Sequence, residues 1–265
     1  MALDNTKKQS ILSHLEDLRW HLTRSLIAVF IGSIIAFFNK SYLFDNIIFA
    51  CKENTFPTYI FLCNLSEKFC IKDMPFILMN VEMAGQFTMH LLVSFTGGVI
   101  IAFPYLVFEI WSFIAPGMYK TEKRFSIIFA VLSFLLFVFG VLFGYYVILP
   151  FSLNFLSSYT ISSVIENNIH FISFIKTITK IILATGFLFQ LPLLIYCLTK
   201  FNFVRPKQLQ QYRRHAFVII LVLASILTPP DIFSQILIGL PIFFLYEFSI
   251  LISILTSPRN EINSK

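Results

Sequence analysis

Two acidic clusters in this chain have the types and spacing to do chemistry. Ser13-His14-Leu15-Glu16-Asp17-Leu18-Arg19 precedes the first apolar stretch, and Glu109-Ile-Trp111-Ser-Phe113-Ile-Ala-Pro116-Gly117-Met-Tyr119-Lys-Thr121-Glu122-Lys123-Arg124 follows the second. A carboxylate among aromatic rings suits a guanidinium. It accepts the planar fork through charge-assisted hydrogen bonds while a ring face stacks on it. Local roles compete for the same residues. Ser13 and Glu16 have capping-box spacing, and Thr121 has the character of an N-cap, which places Glu122 in a first helical turn favoured by the helix dipole. Arg19 and Arg24 have stems long enough to snorkel, and Trp111, Phe113 and Tyr119 fit an interfacial aromatic belt. Asp17 has no part in such a cap and stays available to a partner.

Three further polar residues lie where the surroundings are apolar. Gln190 and Glu247 fall inside long hydrophobic runs, where a polar group is expensive and a functional role is the default expectation. Pro192 follows Gln190 closely, so backbone groups freed by the proline are an alternative partner. Asp231 closes Thr228-Pro229-Pro230-Asp231, a segment that cannot continue a helix, and it is suited to cap the helix that follows.

Recognisable enzyme chemistry is missing. The sequence has no GxSxG, HExxH, Walker A or GxGxxG pattern. Its histidines, His14, His21, His90, His170 and His215, lack metal-ligand spacing, and a helix-packing hydrogen bond is the expected role of His90. Without a nucleotide site, ATP-driven transport has no support, and neither a cofactor nor a metal is expected.

The elements that must position these residues follow from composition. Of 265 residues, 57% are hydrophobic and only 13% charged, with a mean hydropathy of +0.79. Soluble domains carry about 25% charged residues, so this chain cannot cover a water-exposed globule. The expected fold is all-α and polytopic, a single membrane domain over 1–265 with six spans near 20–38, 83–108, 125–149, 171–198, 215–228 and 232–255. The third span is expected to stop at Pro150, and the last two helices to be short, with a re-entrant hairpin as the competing arrangement. Gly140 and Gly144 form a GxxxG suited to close helix approach. Counting Lys and Arg by loop gives 14 on the side of the termini and 6 on the other. That asymmetry makes the first side cytoplasmic and explains the net charge of +6 without nucleic acid. No cleavable signal peptide is evident. The outer loop, 39–80, holds Cys51, Cys63 and Cys70, enough for one disulfide with one thiol left over. Cys197, in an apolar span, reads as packing.

With those stretches in view, the chain resembles the TatC family, the multi-spanning component of the twin-arginine protein translocase. The similarity rests on SHLEDLRWHL near the N-terminus, FPYLVFEIWSFIAPGMYKTEKR after the second span, and LTPPDIFSQILIGLPIFFLYE near the end. It extends from about residue 10 to residue 254. The resemblance implies a receptor in the bacterial cytoplasmic membrane that binds paired-arginine signal peptides and supports proton-motive-force-driven export of folded proteins. TatA-type and TatB-type single-span proteins would be its partners in an oligomeric complex within the bilayer. It implies signal-peptide contacts at Asp17 and Glu122, where the family usually has Glu at the first position, with Glu16, Arg19, Phe113 and Pro116 alongside. Gln190, Asp231 and Glu247 would be intramembrane polar or partner-contact positions, and a Gln cannot ionise for a proton relay. A six-span small-solute transporter is the alternative, although the internal repeats such transporters carry are not seen. An intramembrane enzyme would need a nucleophile–base pair that the spans lack.

Overall fold

A computed structural model describes residues 11–65, 76–114, 123–158, 168–201, 203–227 and 232–256. Its elements run α1 (Ile11–Phe38), a π-helical turn (Tyr42–Ile48), a short 3₁₀ turn (Ala50–Lys52), α2 (Pro57–Leu65), β1 (Ile77–Met79) and α3 (Gly85–Ile114). They continue as α4 (Lys123–Phe143), a second π-turn (Gly144–Ile148), α5 (Leu149–Ser158), β2 (Asn168–His170), α6 (Phe171–Leu188) and α7 (Leu191–Lys200). The chain closes with α8 (Pro206–Gln211), α9 (Arg213–Leu227) and α10 (Ile232–Thr256). Five helical stretches among the described residues are long and apolar enough to cross a bilayer: Leu15–Phe38, Gly85–Phe113, Ile128–Ser158, Phe171–Lys200 and Gln235–Thr256. The sixth expected span, α9, has 15 residues, or about 22 Å against a hydrocarbon core of about 30 Å. The protein is therefore a multi-pass helical membrane protein. Phe30 and Phe38 stand 67% and 80% exposed, as lipid-facing residues should.

The structure differs from the sequence reading at four places. First, α3 does not end at 108 but runs on to Ile114, so Glu109, Trp111 and Phe113 are helical. Glu109 does not stop the helix because two side chains, described below, satisfy its charge. Second, Pro150 does not end the third span, which continues through the π-turn into α5. A proline leaves the carbonyl four residues earlier without its helical donor. Here that carbonyl belongs to Tyr146, and the Thr58 hydroxyl from α2 donates to it at 2.5 Å. Third, the expectation of a short helix holds for α9 but not for α10, which runs 25 residues with Pro241 inside it. Fourth, the helices are joined by a small sheet. β1 and β2 pair in parallel, Leu78 opposite Ile169.

The chain divides into two compact units, residues 1–38 with 94–134, and residues 39–93 with 135–265. In the first, α1 and α3 touch at glycine. A Cβ on Gly32 would lie 2.8 Å from the Gly98 carbonyl oxygen, and one on Gly98 would lie 2.7 Å from Cα of Ser33. In the second, the expected GxxxG packs α4 on α6. A Cβ on Gly140 would lie 2.7 Å from the Thr185 carbonyl oxygen, and one on Gly186 would lie 2.8 Å from the Phe137 ring. The buried hydroxyls of Thr199 and Ser253, 2.7 Å apart, tie α7 to α10. The amide of Gln235 donates to the Leu221 carbonyl at 3.0 Å and ties α10 to α9.

Candidate functional site

The first unit brings two faces together. On α1, Asp17 and His21 are one turn apart, so they share a face; on α3, Tyr105, Glu109 and Phe113 repeat at the same spacing. The His21 imidazole Nδ1 pairs with a Glu109 carboxylate oxygen, and the Tyr105 hydroxyl donates to the other oxygen at 2.5 Å. Glu109 is 4% exposed. A carboxylate so deeply placed persists only when paired and hydrogen-bonded, and here both oxygens are engaged. The His21 ring also meets Phe113 edge-on, with centroids 5.9 Å apart. The helix on which Asp17 sits is therefore held against the helix end that bears Phe113.

Among the expected site residues, Asp17 is exposed and pairs with no described cation. Glu16 is also exposed, but it faces Arg19 at 3.9 Å, and the Arg19 guanidinium lies 5.8 Å from the centre of the Trp20 ring. Asp17 is thus the uncommitted acid of the neighbouring pair. The capping-box role for Ser13 and Glu16 does not hold. Residues from Ile11 onward are already helical, so Ser13 lies inside the first turn rather than ahead of it. Trp111 does not join an exposed aromatic face. It is 5% exposed and stacks on Phe129 at 5.1 Å, fixing the start of α4 on the end of α3. Pro116, Tyr119, Thr121, Glu122 and Asp231 lie outside the described residues.

In the second unit, Gln190 sits at the break between α6 and α7. Its backbone N–H donates to the Phe187 carbonyl at 3.0 Å, and Pro192 follows at the second position of α7. Glu247 accepts from the Arg213 guanidinium at 2.8 Å, so its charge is paired rather than isolated. It also borders a concavity of about 630 Å³ lined by Phe139, Phe143, Phe189, Phe244 and Phe248. His90 meets the Phe44 ring edge-on at 5.9 Å, as suits a packing residue. Of the thiols expected in the outer loop, Cys63 is in a disulfide, while Cys51 is free and fully buried. Desolvation pushes the Cys51 thiol up to about 12. No cluster of metal-ligating side chains occurs among the described residues.

Residues 13–241 match the family described as Sec-independent protein translocase protein (TatC). The chain belongs to the TatC family. A TatC protein of Blattabacterium from Periplaneta americana is 38% identical over 253 residues, covering 93% of this chain and 95% of the relative. One from Helicobacter pylori strain 26695 is 32% identical over 250 residues, covering 94% and 91%. A crystal structure of the twin arginine translocase receptor TatC superposes with a TM-score of 0.75 at 30% identity, over 92% of this chain and 99% of that one. Within this TatC chain, the residues that sequence reasoning missed are His21, Tyr105 and Glu109. Their signal was the Tyr105–Glu109 spacing of four, together with a histidine inside an apolar helix. His21 and Glu109 looked unremarkable because they lie 88 positions apart in the chain, and a spacing of four such as that of Tyr105 and Glu109 is common along a helix.

Proposed function

We propose that this TatC chain is the receptor subunit of a twin-arginine translocase, with Asp17 and Glu122 as acceptors for the paired arginines of a signal peptide. The observation that carries the reading is Asp17, an exposed carboxylate without a described cation partner, one turn from the His21 that packs on Phe113. Two separated carboxylates each accept one planar guanidinium fork, which a lysine's point charge fits less well. A charge-assisted hydrogen bond contributes about 1.5–3 kcal/mol, enough to separate a signal from a generic basic segment. Phe113 and Pro116 flank the peptide in this reading, and no covalent step is needed. The chain itself performs no catalysis.

Both termini and the recognition end face the cytoplasm of the bacterial inner membrane, as the 14-to-6 distribution of bases supports. Folded cargo moves outward at the expense of the proton-motive force, with TatA-type and TatB-type single-span proteins as partners. The phenylalanine-lined concavity beside Glu247 offers those partners an apolar surface within the membrane, and Gln190 and Asp231 belong to the same class of contact. The test is export of a folded reporter bearing a twin-arginine signal. Asp17→Ala and Glu122→Ala each stop export while the chain still inserts; normal export by verified variants would remove the arginine-ligand role. Photo-crosslinking from positions 113 and 122 labels an Arg-Arg peptide over a Lys-Lys control, and equal labelling would count against arginine recognition.

A further inference from the structure

We infer that His21 and Glu109, braced by Tyr105, are positioning residues for signal recognition: they lock α1 onto α3 so that Asp17 is held beside Phe113. The inference rests on the reading of Asp17 above and assigns the pair no contact with the signal. Both Glu109 oxygens are engaged, one by His21 and one by Tyr105, and the residue is 4% exposed. It has no free face to offer an incoming guanidinium. Arg24, three residues beyond His21, adds its positive charge to the field at Glu109.

Geometry makes this pair a lock. At Gly32 and Gly98 the backbones of α1 and α3 touch. Counting from that contact, His21 lies eleven residues back along α1 and Glu109 eleven residues forward along α3. Eleven residues are close to three full turns at 3.6 per turn, so each helix presents the same face again. The helices run in opposite directions, and the two positions meet. A crossing made of glycines and the small side chains of Ser33 and Ala36 resists rotation weakly on its own and acts as a pivot. The polar pair supplies the second point of attachment.

Asp17 stands one turn beyond the lock, about 22 Å along α1 from the glycine crossing at 1.5 Å per residue. Swinging α1 by about 10° on that pivot moves Asp17 by about 4 Å, far more than the few tenths of an ångström over which hydrogen bonds keep their geometry. Losing the lock therefore removes the arginine-reading geometry while leaving the helix in the membrane.

The experiment uses the full chain, purified in detergent, and two synthetic signal peptides that differ only in carrying Arg-Arg or Lys-Lys. The readout is the ratio of their affinities in protein that elutes as a folded species. Glu109→Leu and His21→Leu each lower that ratio about tenfold. Glu109→Gln, which keeps one acceptor oxygen and puts an NH2 donor in place of the other, opposite a hydroxyl or a ring nitrogen able to accept from it, stays within about threefold of the starting chain. The exchanged pair, His21→Glu with Glu109→His, recovers most of what either leucine variant loses. A folded Glu109→Leu protein with an unchanged ratio overturns the proposal. So does a Glu109→Gln protein that loses as much as the leucine variant, because the charge itself would then be the ligand. Asp17→Ala, run in parallel, separates the two readings. Unchanged binding there defeats the recognition role, whereas lost binding there with an intact Glu109→Leu ratio defeats only the lock.

Discussion

The two compact units use opposite means to hold helices together. In the first, α1 and α3 meet at a glycine contact and at one hydrogen-bonded polar pair, His21 with the buried Glu109. In the second, α4 and α6 interlock through Gly140, Gly144 and Gly186, and α10 is tied to α7 by a buried hydroxyl pair. Shape complementarity is distributed and tolerates no added volume, while a single polar pair is directional and concentrates its effect at one place. A receptor that must present a carboxylate at a fixed position benefits from the second arrangement, and a scaffold benefits from the first. Substitutions in the scaffold should therefore change how much protein folds, and substitutions at the pair should change what the folded protein recognises.

The comparison breaks most visibly at Gly140. A leucine there meets the Thr185 carbonyl and Phe189, backbone and ring that have nowhere to go, and overpacking of this kind costs about 1–3 kcal/mol or more. Thermal unfolding in detergent should show the largest loss of any variant named here, with an unchanged Arg-Arg to Lys-Lys ratio in whatever remains folded. A fall in the ratio would mean that the scaffold and the recognition end are not separable. Thr199→Val comes next. It leaves the Ser253 hydroxyl without its partner, for a loss of about 1 kcal/mol. Combined with Ser253→Ala, the total should be less than the two single losses added together. Arg213→Ala should be smallest. Its pair with Glu247 has a half-exposed arginine, and such pairs contribute less than about 1 kcal/mol. A measured loss above that of Thr199→Val would assign the Glu247 end of the concavity to the framework.

Cys51 sharpens the picture in the segment between α1 and α2. Burial raises its folded-state pKa to about 12, while the unfolded thiol ionises near 9. The folded chain holds its proton where the unfolded chain releases it, so stability is complete below pH 9 and falls as pH rises above that value. A thiol-directed reagent at pH 8 should leave Cys51 unmodified until the protein unfolds. Rapid modification of the folded protein would show that this segment opens.

Most of the architecture was legible because charge punctuates an apolar chain. Starts and ends of the fourth and sixth spans, and the start of the second, fall within a few residues of where the hydrophobic runs imply. What was not legible depended on partners distant in sequence. Glu109 reads as the end of a span until His21 and Tyr105 are beside it, and Pro150 reads as a stop until Thr58 is found at the Tyr146 carbonyl. Trp111 reads as an exposed aromatic, yet it is buried against Phe129. A capping box reads correctly only when the helix begins there, and α1 begins earlier. Asp17 could be singled out because it had no part in a cap, and it pairs with no cation among the described residues.

The bond from Thr58 to the Tyr146 carbonyl makes α2 part of the membrane helix it touches. A proline inside a span leaves an acceptor that lipid cannot satisfy, and a hydroxyl from outside the span fills that vacancy. The segment that carries α2 is consequently not an ornament that could be trimmed to a minimal turn. Shortening it past α2 would orphan a carbonyl at the level of the π-turn and leave the third span to kink, slide or admit water. The segment and the span fold as one piece, and any relative that loses the segment's threonine must either lose the proline or find another donor.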